Sequence, residues 1–142
     1  MINILNNSHD LFHTLNQISR HVTNRVNDVL KPLGIYSSQW TVIFVLYSKG
    51  TMTQKELSEY LSIEAPPMTR TIQRLVANGF VKQIPGKDKR EKYIQLTNEA
   101  LVNYPKWEAA VTDLNHILLS SLPNHSQEEL QKLLNGWLGK LS

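Results

Sequence analysis

TQKELSEYLSIEAPPMTRTIQRLVANGFVKQIPGKDKREKYIQLT, residues 53–97 of the 142-residue chain, is the stretch that decides the fold. Its first four residues have the pattern of a capping box, in which the Thr53 hydroxyl accepts from the Glu56 amide and the Glu56 carboxylate accepts from the Thr53 amide. The pattern predicts a short helix that ends at about Leu61 and is followed by a tight turn over residues 62–65.

A second helix is predicted from Pro66 to Asn78. Proline is tolerated in the first turn of a helix because the amides there have no acceptor within the helix, so Pro66 and Pro67 suit its start. Gly79 can adopt the left-handed conformation that ends many helices. Two helices joined by a tight turn form a helix-turn-helix unit.

Two short strands are predicted after this unit, over residues 80–84 and from Tyr93 to Leu96, from the alternation of apolar and polar residues. The polar segment between them, residues 85–91, contains a Pro-Gly pair and predicts a hairpin loop. A helix-turn-helix unit followed by a two-stranded ribbon is the order of elements in a winged helix.

Two further helices are predicted on the N-terminal side, over residues 8–31 and 37–48, and Ser37 or Ser38 can cap the second of them. The first helix is too long to bury its whole apolar stripe on so small a central unit, so a second subunit is expected to cover the remainder. The stripe consists of Leu11, Leu15, Ile18, Val22, Val26 and Val29.

On the C-terminal side, a long helix is predicted after Thr97 to about Leu122, with a kink or an interruption at Pro105. Ser126 begins a second capping-box pattern and predicts the start of a last helix with a leucine-rich face. The predicted fold is therefore a single domain over residues 1–142, mainly α-helical with a small β-wing.

The positive charge of the chain is concentrated in one window. Between Arg70 and Lys92 there are seven basic and two acidic residues, which sum to +5, whereas the whole chain carries only +3. A localised basic surface of this kind favours a polyanion, and the phosphate backbone of double-stranded DNA is the natural partner.

The predicted second helix has two faces at about 100° per residue. Its inner face is expected to contain Met68, Ile72, Leu75 and Val76. The outer face can enter a major groove, where Arg70 can donate two hydrogen bonds to a guanine edge, Arg74 can contact phosphate or base, and Thr69 and Thr71 lie on the flanks. The remaining outward residues are Pro66, Pro67, Gln73 and Ala77.

The hairpin tip is the second candidate DNA-binding element. Lys87, Lys89 and Arg90 lie near its turn, and an arginine on such a tip can enter a narrow minor groove, where the potential is most negative. Asp88 is acidic on a surface expected to bind DNA. Its expected role is therefore structural, as an acceptor for Arg90 or for amides of the turn.

The composition argues against several other kinds of site. The chain has no cysteine, which removes disulfides, thiol nucleophiles and cysteine–zinc sites. No catalytic arrangement, phosphate-binding glycine loop or metal motif is found, so neither an enzyme nor a cofactor is predicted. The sequence shows no secretion signal and no apolar run long enough for a bilayer, so a cytoplasmic protein is expected. The five histidines form no metal-binding motif in the sequence; they are His9, His13, His21, His116 and His125.

Residues 57–97 resemble the DNA-binding core of the MarR family of bacterial regulators. The likeness rests on LSEYL at residues 57–61, on MTRTIQRLVANGFV at residues 68–81, and on the Asp-Lys-Arg tip at residues 88–90 with the IQLT of residues 94–97. Together these motifs are fairly specific for the family. The flanking helices extend the resemblance to nearly the whole chain.

The resemblance implies a homodimer. Its N- and C-terminal helices, about residues 1–35 and 98–142, would interlock, while a winged-helix core of about residues 36–97 would bind one half of a pseudo-palindromic DNA operator. Most members are repressors, and a repressor is expected here. Many members release DNA when a small phenolic or lipophilic ligand binds between the two parts. The resemblance therefore implies a small lipophilic or aromatic effector as a further partner, and the sequence leaves open whether one exists.

The sequence departs from the family pattern at the start of the recognition helix. Family members often have serine or threonine there, whereas this chain has Pro66 and Pro67. A different base preference is expected, because these residues offer no hydroxyl.

Two other functions stay open at this point. The winged helix could bind a protein, as an anti-regulator without salt-dependent affinity for DNA, or the chain could bind a small molecule without binding DNA.

Overall fold

The computed structural model of the protein describes the backbone of residues 4–88 and 90–142 and the side chains of residues 7–88 and 90–142. The predicted fold class, mainly α-helical with a small β-wing, is confirmed. In chain order the elements are α1 (Ile4–Leu30), a 3-10 turn (Lys31–Leu33), α2 (Ser37–Lys49), β1 (Met52–Thr53), α3 (Gln54–Leu61), α4 (Ala65–Ala77), β2 (Val81–Pro85), β3 (Lys92–Leu96), α5 (Asn98–Leu119) and α6 (Asn124–Leu141).

The small sheet has three antiparallel strands in the order β1-β3-β2. Val81 pairs with Leu96 and Pro85 with Lys92, so β2 and β3 form the wing hairpin, while Met52 pairs with Ile94 on the other edge of β3. The predicted two-stranded ribbon is present as this hairpin, and β1 adds a third strand that the sequence analysis did not predict. β1 has only two residues, which is too short for an alternating pattern in the sequence.

The core lies where α2, α3, α4, β3 and α5 meet. Leu57, Ile72 and Ile94 are fully buried there, as is Trp107 of α5. The Trp107 indole N–H donates to the Leu33 carbonyl at 3.3 Å, so the largest core side chain has its polar atom paired. This core fixes α4 against the rest of the molecule and leaves its other face free.

The N-terminal half of α1 is only partly covered by the described residues of the chain. Val26 is buried, but Leu11 and Ile18 on the same stripe are 56% and 54% exposed. α6 likewise exposes Leu133 and Leu138.

Among the described residues, no single helix is long and apolar enough to span a membrane. Only the pair of helices over residues 7–33 and 37–49 reaches that length and hydropathy when the two are taken together, and this pair is bent by 83°.

The starts of two helices differ from the sequence prediction. α2 is not capped by Ser37 or Ser38, because Tyr36 is the N-cap residue and its amide donates to Gln39 Oε1 at 2.9 Å. α6 begins at Asn124, directly after Pro123, so Ser126 is already inside the helix and is not its cap. Pro123 is itself the N-cap residue of α6, and no side chain forms a capping hydrogen bond there.

Two details of the helices also differ from the sequence prediction. Of the two expected effects of Pro105, the interruption does not occur, because α5 continues through Pro105 and ends at Leu119. Proline removes only the bond to the Leu101 carbonyl, and both residues lie on the exposed side of the helix. Val76 was expected in the core but is 42% exposed, because it lies one residue, or about 100°, beyond the buried Leu75. Gly79 has φ of +82° and is left-handed as predicted.

Thr97 joins the end of α4 to the start of α5. Its hydroxyl donates to the Gly79 carbonyl at 2.6 Å and accepts from the Ala100 amide at 3.2 Å, so it acts as the N-cap of α5. Its own amide donates to the Phe80 carbonyl at 3.1 Å. One half-buried residue thus holds the start of the wing, the end of α4 and the start of α5 in register.

Thr97→Ala should lower the free energy of unfolding by about 1–3 kcal/mol, because it removes an N-cap and a second hydrogen bond to a half-buried carbonyl. Thr97→Ser keeps the hydroxyl and should retain most of the stability. Urea unfolding at one fixed protein concentration measures the difference. Equal losses in the two variants would contradict the role given to the hydroxyl.

Candidate nucleic-acid interface

The outer face of α4 is the first part of the candidate interface. Burial of Met68, Ile72 and Leu75 against the core orients the helix, and the residues at 100° steps between them point to solvent. The structure places Thr69 and Thr71 at the half-buried edges of the helix. The exposed side chains of α4 include those of Pro66, Pro67, Arg70, Gln73 and Arg74.

α3 holds α4 in place. The capping box predicted at Thr53 is present, with both reciprocal hydrogen bonds at 3.1 Å to Glu56. The next residue, Gln54, donates from Nε2 to the Thr69 hydroxyl at 2.7 Å. Thr69 therefore positions α4 against α3 rather than lying free on the surface. The sequence analysis missed Gln54, because a pairing over 15 residues leaves no local pattern.

The start of α4 presents an apolar surface. The first backbone hydrogen bond of the helix runs from the Met68 amide to the Glu64 carbonyl at 3.1 Å. The three residues before Met68 are Ala65, Pro66 and Pro67, all exposed. Helix N-termini usually offer free amides to phosphate groups, but the two prolines have none. This end of α4 can therefore approach a base edge closely but has few donors for an anion.

The wing tip is a hairpin turn closed by backbone hydrogen bonds, from the Gly86 amide to the Glu91 carbonyl and from the Glu91 amide to the Asp88 carbonyl, each at 2.9 Å. The Asp88 carboxylate accepts from the Arg90 amide at 3.2 Å. Lys87 and Arg90 are exposed. Lys89, the remaining predicted residue of the tip, lies outside the described residues.

One cleft lies between α3 and the wing. Residues of α3 line one side of it, with Ala65 at the start of α4 next to them, and Arg90 and Lys92 lie on the wing side. A second cleft brings Arg74 next to Tyr36 and Gln39 at the start of α2. Tyr36 is half exposed and was not predicted as a site residue, since nothing in the local sequence indicates its proximity to Arg74.

Among the described residues, no group of three or more histidine or acidic side chains is placed to hold a metal ion. His9 and His13 both lie on the exposed part of α1. Within the described part of the chain, their shared helix face is therefore not joined by a third metal-binding side chain.

A helix-turn-helix unit with a β-hairpin wing beside its second helix defines a winged helix-turn-helix protein. The MarR family model matches residues 35–92. The uncharacterized HTH-type transcriptional regulator YwoH of Bacillus subtilis (strain 168) is 41% identical over 128 residues, which cover 90% of this chain and 93% of that protein. The multiple antibiotic resistance protein MarR of Escherichia coli (strain K12) is 32% identical over 96 residues, 62% of this chain and 67% of that protein. The chain belongs to the MarR family.

The similarity extends to the flanking helices. A crystal structure of a cysteine-to-serine mutant of MarR from E. coli, complexed with operator DNA, matches with a TM-score of 0.85 at 26% identity. The match covers 96% of this chain and 99% of that chain. The arrangement of α1, α5 and α6 around the winged helix is therefore shared with a solved member of the family.

Asp88→Ala should loosen the wing tip, because it removes the acceptor for the Arg90 amide. Loss of one exposed hydrogen bond, worth about 0.5–1.5 kcal/mol, should speed hydrogen exchange of that amide about two- to tenfold. Asp88→Asn keeps the acceptor oxygen and should change the rate less. NMR-detected amide exchange measures both variants, and an unchanged rate in Asp88→Ala would show that the carboxylate does not hold the turn.

Proposed function

We propose that the protein is a sequence-specific DNA-binding transcriptional regulator, a repressor that acts in the cytoplasm as a homodimer on a pseudo-palindromic operator. The single observation that carries the proposal is that exposed cationic side chains stand on both elements of the winged helix, Arg70 and Arg74 on the outer face of α4 and Arg90 on the wing. The relative with the TM-score of 0.85 is complexed with operator DNA, which supports the same use of this surface here.

Each part of the surface has a distinct role in the proposal. Arg70 reads a guanine from the major groove, and Arg74, beside Tyr36, contacts the phosphate backbone. Arg90 enters the minor groove, where Asp88 holds the turn that carries it. Gln73 and Thr71 make further contacts along α4, and Lys87 and Lys89 add sequence-independent attraction on the wing.

Pro66 and Pro67 act differently from these polar residues. Their ring carbons offer apolar contact and no hydrogen bond, and the thymine methyl is the apolar group that a base pair presents in the major groove. We therefore assign to this end of α4 a preference for an A·T pair, next to the position that Arg70 reads.

The homodimer in the proposal forms through about residues 1–35 and 98–142. An apolar groove between α1 and α6 contains Leu15 and Leu134, and the rings of Phe12 and Trp137 meet there with centroids 5.5 Å apart. The groove continues the uncovered stripe of α1. Exposed apolar surface of this extent on two long helices favours coverage by the same surface of a second chain.

The test is selection of bound sequences from random duplex DNA, with binding repeated over a salt series. A dimeric operator-binding regulator should enrich an inverted repeat with half-sites about one helical turn apart, and its affinity should fall steeply with salt. Tight binding without sequence preference would indicate an architectural protein instead. No binding at low salt by a folded dimer would favour a protein-binding winged helix.

Arg70→Ala should cost about 1–3 kcal/mol of operator affinity and relax the base preference at one position of each half-site, as expected for a bidentate guanine contact. Lys106→Ala on α5 removes the same charge away from the interface and should leave the affinity nearly unchanged. Competition binding with operators mutated at single positions measures both. An equal loss at every position would make Arg70 a phosphate contact.

A further inference from the structure

One side-chain hydrogen bond joins the start of α3 to the first turns of α4. Gln54, the first residue of α3, donates from Nε2 to the Thr69 hydroxyl at 2.7 Å, and both side chains are half-buried. The direction of this bond is fixed, because a side-chain amide nitrogen donates and does not accept. The hydroxyl proton of Thr69 therefore points away from Gln54.

The bond leaves two donor protons for a group outside the chain. The amide nitrogen of Gln54 carries two protons and uses one of them for Thr69, while the Thr69 hydroxyl keeps its own proton. Within the described part of the chain, neither of these remaining protons forms a hydrogen bond to another residue. The pair therefore presents two donors whose heavy atoms lie only 2.7 Å apart.

These two donors lie at the end of α4 where the backbone offers few. The amides of the first turn of a helix have no partner within the helix and often bind phosphate. In α4 two of these positions are Pro66 and Pro67, which have no amide proton, and the Met68 amide already donates to the Glu64 carbonyl. A phosphate group at this end of α4 therefore has to be bound largely by side chains.

The surroundings of Gln54 favour an anion. Gln54 lines the cleft of about 540 Å³ between α3 and the wing. Three basic and two acidic side chains line the same cleft, namely Lys55, Arg90, Lys92, Glu59 and Glu91. In a helix-turn-helix unit the first helix crosses the DNA backbone while the second enters the major groove. The start of α3 is therefore the place at which a backbone phosphate is expected.

We propose that Gln54 and Thr69 form a clamp for one phosphate of the DNA backbone in each half-site. Gln54 donates its second amide proton to a phosphate oxygen, and it also directs the Thr69 hydroxyl proton to the same phosphate. Unesterified phosphate oxygens of the backbone accept hydrogen bonds and do not donate, so a pair with both protons directed outward fits this group.

The clamp rests on the proposed DNA-binding function and adds to it a contact that fixes the position of α4. Phosphate contacts set the register of a protein on the duplex, while base contacts read the sequence. Thr69 directly precedes Arg70 in α4. A phosphate held at Thr69 therefore determines how far Arg70 reaches toward the base edges.

A purely structural role of the bond, in joining α3 to α4, makes a different prediction. A structural bond tolerates either direction, whereas the clamp requires both protons to point outward. Gln54→Glu separates the two roles, because a carboxylate accepts from the Thr69 hydroxyl and keeps the bond with its direction reversed. An acidic side chain also suits the first turn of α3, so the fold should be retained.

The experiment measures binding to the operator selected from random duplex DNA, with one phosphate at a time replaced by an uncharged methylphosphonate. For the unmodified protein, replacement of the clamped phosphate in a half-site should weaken binding about tenfold. Gln54→Met has a similar length and no donor, and it should weaken binding to the unmodified operator by about the same factor. Replacement of the clamped phosphate should then have little further effect, because its partner is already lost.

Gln54→Glu should weaken binding to the unmodified operator more strongly, by about a hundredfold, because it brings a carboxylate against the phosphate. The methylphosphonate at the same position should then strengthen binding, since it removes the repulsion. This reversal should be confined to one phosphate of each half-site, whereas a general effect of added negative charge would extend over several.

Gln73→Met is the matched control, because it makes the same chemical change at an exposed position of α4, one turn beyond Thr69. It should leave the effect of the methylphosphonate at the clamped phosphate unchanged. Circular dichroism and size-exclusion chromatography verify that each variant is folded and keeps the oligomeric state of the unmodified protein.

Three results would overturn the clamp. Gln54→Met could bind the operator as tightly as the unmodified protein, Gln54→Met could bind more weakly while the effect of every methylphosphonate stays the same, or Gln54→Glu could bind as tightly as the unmodified protein. Each of these results leaves the proposed DNA-binding function intact. A protein that binds no duplex DNA at low salt would refute the proposed function and the clamp together.

Discussion

Burial of one face of α4 is the constraint on which the rest of the structure depends. Met68, Ile72 and Leu75 are buried where α4 packs against α2, α3 and β2, and their positions in the helix determine which residues remain outside. Because a helix has 3.6 residues per turn, burying these three side chains leaves Arg70 and Arg74 on the surface. The hydrophobic core thus orients the cationic face without any ion pair being required to do so.

The hydrogen bonds around this core act at its edges. Thr97 ties the end of α4 to α5, and Gln54 ties the start of α4 to α3 through Thr69. Both bonds join residues far apart in the sequence, and both involve half-buried atoms, where an unpaired partner is costly. They restrict rotation of α4 about its own axis, which apolar packing alone restricts less strictly because it is not directional.

The sequence was sufficient to predict the order of helices, the wing, the capping box at Thr53 and the left-handed Gly79, because each depends on residues close together in the chain. It was less reliable at helix ends. Ser126 is a residue type that often caps helices, but α6 already begins at Asn124, directly after Pro123. Only the backbone geometry reveals this. β1 and the Gln54–Thr69 bond depend on pairings between distant segments, so no local pattern could predict them.

The two prolines at the start of α4 also affect the thermodynamics of recognition. Each ring fixes φ near −65°, so the unfolded chain has fewer conformations to lose and the first turn has little freedom to fray. A recognition helix that is already ordered in the free protein loses little conformational entropy on meeting its target. Association should then show the modest heat-capacity change of two rigid surfaces rather than the large one of folding coupled to binding.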